Sequence, residues 1–348
     1  MVIKMRKIWE KNSKLILAIF ATIILASGAT YAATTMYDSN IVGYNNTTSG
    51  LRSTTVQTAL DELYGNVAEV IINMKSKLDE LYAVKLNGDD SAGYHNSIYR
   101  GKNISSYMPS SVVSGGDGTI YDRINGTNGY APFEDLYVGD YIVANSKTWR
   151  IAGFDILDMV GSSKILTSHH VAIVPDEILG SAQMNTSNTT SGGYVGSAMY
   201  TTLTSTTLPT YITPVFGSHV LEYNTVLSNS VGTSLYNRYG SNTGASNGWG
   251  WYTRKLDLMN EVQVTGATEW SSSGYDIGSD NIQFPLFRLR PGLKIAYNST
   301  THSTSTRTWY WLRSVSSSSY FAHVTNDGNI HTTHASNYGG VRPAFYIG

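Results

Sequence analysis

Hydrophobic and polar positions divide the 348-residue chain into stretches of different period. The first is an unbroken apolar run, Leu15 to Ala26, preceded by Lys4, Arg6, Lys7, Lys11 and Lys14 and followed by Ser27-Gly28-Ala29-Thr30-Tyr31-Ala32. Basic, apolar and small residues in that order make a secretory signal, and the run is short for a spanning helix. Residues 1–33 are therefore expected to be a signal peptide cut near Ala29 or Ala32, or a retained membrane anchor with everything after Thr34 outside. Residues 34–50 are polar and read as a linker. The period then changes. Val56, Leu60, Leu63, Val67, Val70, Met74 and Leu81 follow four-three spacing, with Lys77 the single break. That seam predicts a helix within 51–84, opened by a Thr54-x-x-Gln57 capping box and weakened by Gly65. It reads as a coiled-coil stalk holding a homo-oligomer, with a trimer favoured. The alternative is an amphipathic helix packed on the domain that follows.

From Lys85 the helical period stops. Residues 85–134 are rich in Gly, Ser and Asn and predict an irregular connection with short strands. A domain is expected over 135–348. Tyr137–Ala144 and Lys147–Ala152 read as two strands around a hairpin turn at Asn145-Ser146. Ile165–Thr167 and Val171–Val174 are further strand candidates. One or two short helices are expected between Tyr194 and Phe216, and a longer one from Trp251 to Val262. Ile282–Leu289 and the segment from Trp309 to the end return to strand character. The fold class is α+β.

The last segment holds the densest chemistry. His323 to Gly340, "HVTNDGNIHTTHASNYGG", is polar, yet it lies between the apolar runs Trp309–Arg313 and Val341–Phe345. Asp327-Gly328 between two strand-like runs predicts a hairpin. Pairing outward from a two-residue turn sets Val324 against His331, His323 against Thr332 and Phe321 against His334. On that register His323 and His334 share one face and His331 the other, which disfavours a three-histidine metal site. His169-His170 on a strand would be one exposed and one buried histidine.

Composition narrows the chemistry further. Charged residues are 14% of the chain, against ~25% in ordinary globular proteins, and the net charge of −1 offers no footprint for nucleic acid. Without cysteine there are no disulfides, thiolate nucleophiles or Cys-ligated zinc. No nucleophile elbow, HExxH or phosphate-binding loop is present, and no cofactor is implied. Asp140, Asp155, Asp158, Asp176 and Glu177 are scattered carboxylates without a recognisable pairing. Tyr, Asn, His, Thr and Asp on loops and strands above an apolar scaffold instead resemble a recognition surface.

Several motifs in order extend this reading. Trp309-Tyr310-Trp311-Leu312-Arg313, Phe321, Gly328, Ala335-Ser336 and Gly340-Val341-Arg342-Pro343-Ala344-Phe345 resemble the terminal signature of a large family of Firmicute and phage surface and tail proteins. Its ending is similar to the variable region of C-type-lectin-fold proteins diversified by retroelements. His169–Asp176, Gly192–Tyr200, Phe216–His219, Leu256–Glu261 and Pro285–Leu289 are also similar to it, and the stalk resembles segments of phage tail fibres. The resemblance implies a C-type-lectin-like, formylglycine-generating-enzyme-like domain that binds ligand at its terminal hairpin and loops. Exchangeable, ligand-binding positions would be Tyr320, His323, Thr325, Asn326, Asp327, Asn329, His331, Thr333, His334, Asn337 and Tyr338. Trp309, Trp311, Arg313 and Arg342 would be scaffold, the arginines bound to buried carbonyls or carboxylates. The chain departs from the family in three ways. It lacks the cysteines of formylglycine chemistry. It has Val174-Pro175-Asp176 where calcium-dependent lectins carry a sugar motif. It begins with an export signal that phage tail proteins do not have. The implied protein is an exported or surface-anchored, non-enzymatic bacterial binder. Its partner would be a protein or glycan on another cell or phage, and its membrane contact the N-terminal helix if uncleaved. The competing expectations are a glycan- or cell-wall-acting enzyme using cleft carboxylates, and a structural envelope protein.

Overall fold

The computed structural model describes residues 51–82, 91–157, 166, 168–232, 235–237, 240–242, 246–271 and 282–348. The signal or anchor segment 1–33, the linker 34–50, Asp158 and most of the expected strand Ile165–Thr167 lie outside the described residues. The chain divides into two units, Met1–Val84 and Lys85–Gly348.

In the first unit the four-three spacing becomes one helix, α1 (Val56–Tyr82). Its capping box sits one residue beyond the expected one. Thr55 and Thr58 each donate a backbone N–H to the other's hydroxyl at 3.3 Å, while the Gln57 amide donates to Asp61 one turn on. Leu60, Val67, Val70 and Met74 of the seam are exposed on this single chain, and Ile71 and Ile72 beside them are too. Among the described residues no helix is long and apolar enough to cross a membrane.

The second unit is mixed α+β with small sheets. It opens with α2 (Ser91–His95) and α3 (Ile120–Asn125). The segment 85–134 is part of this unit: Ile104, Met108, Ile120, Ile124 and Phe133 are buried in the core it shares with the later strands. Arg100 reaches from it to the buried Asp140 at 2.6 Å. Gly and Ser there serve tight turns, so its low hydrophobicity hid a packed layer.

Strands β1 (Tyr141–Ala144) and β2 (Lys147–Phe154) form the expected hairpin. Asn145 and Ser146 have φ of 51° and 55°, the left-handed pair that a two-residue type I′ turn requires. The chain continues through β3 (Val171–Pro175) and β4 (Ser181–Ala182). A continuous helical stretch follows from α4 (Ala198–Thr202), through a wide-turned segment Leu203–Ile212 that accommodates Pro209, to α5 (Thr213–Phe216).

Two expectations fail in the next stretch. Trp251–Val262 is not one helix. Its first part ends a long strand, β8 (Ser246–Arg254), which pairs with β5 (Tyr223–Val231); the short strands β6 (Leu235–Asn237) and β7 (Gly240–Asn242) lie between them in the chain. Leu256–Leu258 is β9, buried throughout, and a strand covered on both sides shows no alternation to betray it. The helix α6 is only Glu261–Thr265, started by an Asn260/Gln263 capping box. Ile282–Leu289 is not a strand either. Pro285 opens a helix, α7 (Pro285–Leu289), where a fixed φ and missing N–H suit the first turn.

The remaining strands are β10 (Ala296–Tyr297), β11 (Arg307–Thr308), β12 (Tyr310–Val315), β13 (Tyr320–Val324), β14 (Ile330–His334), β15 (Gly339–Gly340) and β16 (Pro343–Ile347). Two five-stranded sheets carry the unit, ordered β1-β2-β3-β16-β9 and β14-β13-β12-β15-β4. The C-terminal strand thus lies inside the first sheet, with Phe345 opposite Ile173 on one side and Leu256 on the other. Trp149, Phe216 and Phe345 pack edge to face there, with ring centroids 5.2 to 5.8 Å apart. This explains the apolar run after the polar segment.

Candidate ligand-binding groove

The terminal hairpin sets the geometry of the site. Gly328 has φ of 90°, and its N–H donates to the Thr325 carbonyl at 3.1 Å. Thr325 N–H then donates to Asn329 at 2.8 Å. The loop is therefore three residues, Asn326 to Gly328, ending in a left-handed glycine, rather than the expected two. One extra loop residue slides the register by one, and a one-residue slip changes every cross-strand partner. Observed partners are Tyr320 with His334, Phe321 with Thr333, Ala322 with Thr332, and His323 with His331. The expected grouping of the histidines is thereby reversed. His323 and His331 share a face, with ring centroids 5.8 Å apart, and His334 lies on the other.

The His323 face extends across β12. Trp311 is the ladder partner of His323, and Trp309 stands against it with ring centroids 5.0 Å apart. Arg307, Trp309 and Trp311 alternate along one side of the chain, as strand period predicts. On this side lies a groove of about 440 Å³ lined by Arg307, Thr308, Trp309, His323, Thr325, Asn326, Thr333 and Asn337. Five of the eleven expected binding residues converge on it. Arg307 and Thr308 were missed, although the alternation Arg307, Trp309, Trp311 marks Arg307 as facing the same way. Trp309, read as scaffold, is half-buried and forms a wall.

The other expected residues are dispersed. On the opposite face Tyr320 hydroxyl and His334 Nε2 lie 3.2 Å apart with their rings edge to face. His331 is exposed beside Trp270, whose indole N–H donates to Ile330 on the free edge of β14 at 3.3 Å. Asp327 and Asn329 serve the turn itself: the Thr325 hydroxyl and the Asn329 amide both donate to Asp327, which holds its carboxyl below the usual range. Tyr338 is 70% exposed, outside the groove lining.

Within the groove the polar groups differ in freedom. The Asn337 amide donates to the Thr333 hydroxyl at 2.6 Å, leaving the Thr333 proton available. The Asn326 side chain has no hydrogen bond among the described residues. His323 Nδ1 is buried without a partner. Burial, with His331 adding a little, pulls the His323 imidazole down to about 4, so it is neutral near pH 7.

The frame is tied down from behind. Arg342 is fully buried and donates to the carbonyls of Pro175 at 2.7 Å, Lys294 at 2.9 Å and Leu293 at 3.1 Å, lying over the Tyr310 ring at 4.9 Å. Arg313 is buried and donates to the Leu258 carbonyl at 3.1 Å. Trp311 is buried, its indole N–H bonded to Ala182 at 2.9 Å. Gly339 lies flat against the tryptophans: a Cβ there would run into the Trp309 ring and come within 2.7 Å of Trp311 Nε1.

The four described carboxylates weighed for catalysis have structural partners. Asp140 holds Arg100, and Asp176 pairs with Arg150 between β2 and β3. Asp155 binds His169 at 2.8 Å, while His170 beside it is buried. Glu177 accepts from Thr148 N–H at 2.7 Å and lies 2.6 Å from His302 Nε2. None of them lines the groove. No group of three or more potential metal ligands occurs among the described residues.

A family model described as a domain of unknown function, DUF6273, matches residues 233–348, the stretch that contains every groove residue. No curated protein and no solved structure matches the chain.

Proposed function

We propose that the chain is an exported or surface-anchored bacterial binding protein. A stalk would present a C-type-lectin-like domain whose terminal hairpin and groove capture a ligand on another cell or phage. One observation carries the reading. None of the eleven positions expected to vary is buried, whereas Trp311, Leu312, Arg313, Phe321, Ala335 and Val341 to Phe345 around them all are. Side chains at such positions exchange at little cost to the fold, while the frame fixes where they stand. Five of them meet at one concavity whose volume lies in the range of small-ligand sites.

The reading extends to assembly. A helix bearing Leu60, Val67, Val70 and Met74 on its surface would bury them against copies of itself, and a trimeric coiled coil is favoured. Retroelement diversification of the terminal segment is part of the proposal. A reverse transcriptase beside a near-copy of the segment encoding Trp309–Phe345, altered at adenines, would support it. The enzymatic alternative draws less support, since the groove lining contains no Asp or Glu to act as a pair.

The test is capture of intact bacterial cells by the full chain, with Asn326, Thr333 and Asn337 replaced together by alanine. Capture should be lost with thermal unfolding moved by no more than a few degrees. Unchanged capture removes the groove from the function, and loss of folding would make these residues structural.

A further inference from the structure

The groove has one charged group and no counter-charge. Arg307 is exposed, lines the groove, and its guanidinium has no hydrogen-bond or ion-pair partner among the described residues. Five other arginines of the domain are committed: Arg100 to Asp135 and Asp140, Arg150 to Asp176, Arg254 to Asp257, Arg313 and Arg342 to buried carbonyls; exposed Arg290 lies over the Tyr99 ring, outside the groove lining. No acidic side chain shares the lining, and His323 is uncharged near pH 7. The lining thus carries one charged side chain, a planar donor with its fork free; the Asp327 carboxylate behind Thr325 lies outside the lining and accepts from the Thr325 hydroxyl and the Asn329 amide.

The remaining lining is suited to a polyhydroxylated ring. Trp309 offers an apolar aromatic wall of the kind that takes the C–H face of a sugar. Thr308, Asn326, Thr333 and Asn337 supply hydroxyls and amides, the groups that read sugar hydroxyls. Asn326 has its amide free and Thr333 keeps a proton to give. A cavity of about 440 Å³ holds a short oligosaccharide end rather than a protein face.

Resting on the binding reading above, we propose that this groove takes an acidic glycan. A sugar carboxylate would be held by the Arg307 fork, the ring would lie against Trp309, and its hydroxyls would bond to Asn326, Thr333 and Asn337. A guanidinium matches a carboxylate with two parallel hydrogen bonds, which an ammonium cannot reproduce.

The experiment uses the full chain and three matched pairs of probes: trigalacturonate against its methyl ester, 3′-sialyllactose against lactose, and a hyaluronan tetrasaccharide against chitotetraose. For at least one pair the acid should bind tenfold or more tighter at low salt, a difference of about 1.4 kcal/mol. Added salt should narrow that difference, because Arg307 is exposed. Arg307→Gln should abolish the preference and Arg307→Lys should keep part of it, both with unfolding unchanged. Equal binding within every pair overturns the proposal, as does an acid preference that survives Arg307→Gln, or no binding of any acidic probe. Neutral glycans bound and then lost in Asn326→Ala would sink the acidic assignment alone. The binding reading itself stands or falls on the cell-capture assay with the triple alanine variant.

Discussion

Arg342 packs over Tyr310 and Arg307 lines the groove beside Trp309, and the two are used in opposite ways. Arg342 is fully buried, its guanidinium divided among three carbonyls and backed by Tyr310. Arg307 is exposed and lines a groove, and its guanidinium has no partner among the described residues. One cation has its hydration replaced by fixed backbone dipoles and ties the end of β3 to the Leu293–Lys294 turn; the other keeps its donors for something outside the chain. The difference between frame and surface is therefore one of hydrogen-bond satisfaction, not of residue type.

The contrast breaks first at Arg342. Arg342→Met keeps the volume but strands three carbonyls in the interior, and should cost about 3–5 kcal/mol of stability by denaturant unfolding. Arg307→Gln should stay within about 0.5 kcal/mol. Similar values for the two would mean the groove arginine is structural after all. Next in size is Gly339→Ala. The added methyl must displace the Trp309 or Trp311 ring, which should cost about 1–3 kcal/mol and change the tryptophan fluorescence. A neutral result would show that the groove wall can move.

Much of the frame was legible from residue order, and the failures have physical causes. Asn145-Ser146 marked its hairpin because few residues tolerate two left-handed positions in a row. Alternation in Arg307, Trp309 and Trp311 points three side chains one way, but the apolar run begins only at Trp309 and leaves Arg307 outside the visible pattern. Leu256–Leu258 carries no strand period, because burial on both sides erases it, and its apolar spacing fits a helix as well. The terminal register was wrong by one residue, since Asp327-Gly328 fits a two-residue loop and the last two positions of a three-residue loop equally well. Which loop forms is decided by Thr325, whose hydroxyl accepts the Asn329 N–H at 3.1 Å and donates to Asp327. That bond joins a hydroxyl to a backbone N–H four residues on, and the Asp327-Gly328 pair by itself does not announce it.

His323 gives a smaller effect with a definite sign. Its imidazole titrates at about 4 in the folded chain against an ordinary 6.5, so the unfolded chain binds more protons between those values. Stability then falls as pH drops from about 6.5 to about 4, and is independent of this group above and below that window. The loss should be about 1–2 kcal/mol, below the full shift because the ring is partly exposed. His323→Gln should flatten this part of the pH profile, and an NMR titration should place the His323 midpoint near 4. A midpoint at 6 or above would mean the ring is already solvated, and the groove more open than the Trp309 contact implies.

The smallest test separates neighbours in the loop. Thr325 and Asn326 both line the groove and both belong to the set expected to vary. The Thr325 hydroxyl takes part in three bonds within the turn, with Asp327, the Asn329 carbonyl and the Asn329 N–H. Asn326 is exposed and makes no side-chain bond among the described residues. Thr325→Ala should cost about 1 kcal/mol, since it removes the contacts that set the loop at three residues. Asn326→Ala should cost less than about 0.5 kcal/mol yet weaken ligand capture more. A position can therefore be polar, accessible and groove-lining and still be unfree to vary, because the register of the whole hairpin depends on it. If both substitutions proved neutral for folding, the loop would be a permissive display surface throughout. If both destabilised the chain equally, the polar turn would be part of the frame, and recognition would have to rest on Arg307, Trp309, Thr333 and Asn337.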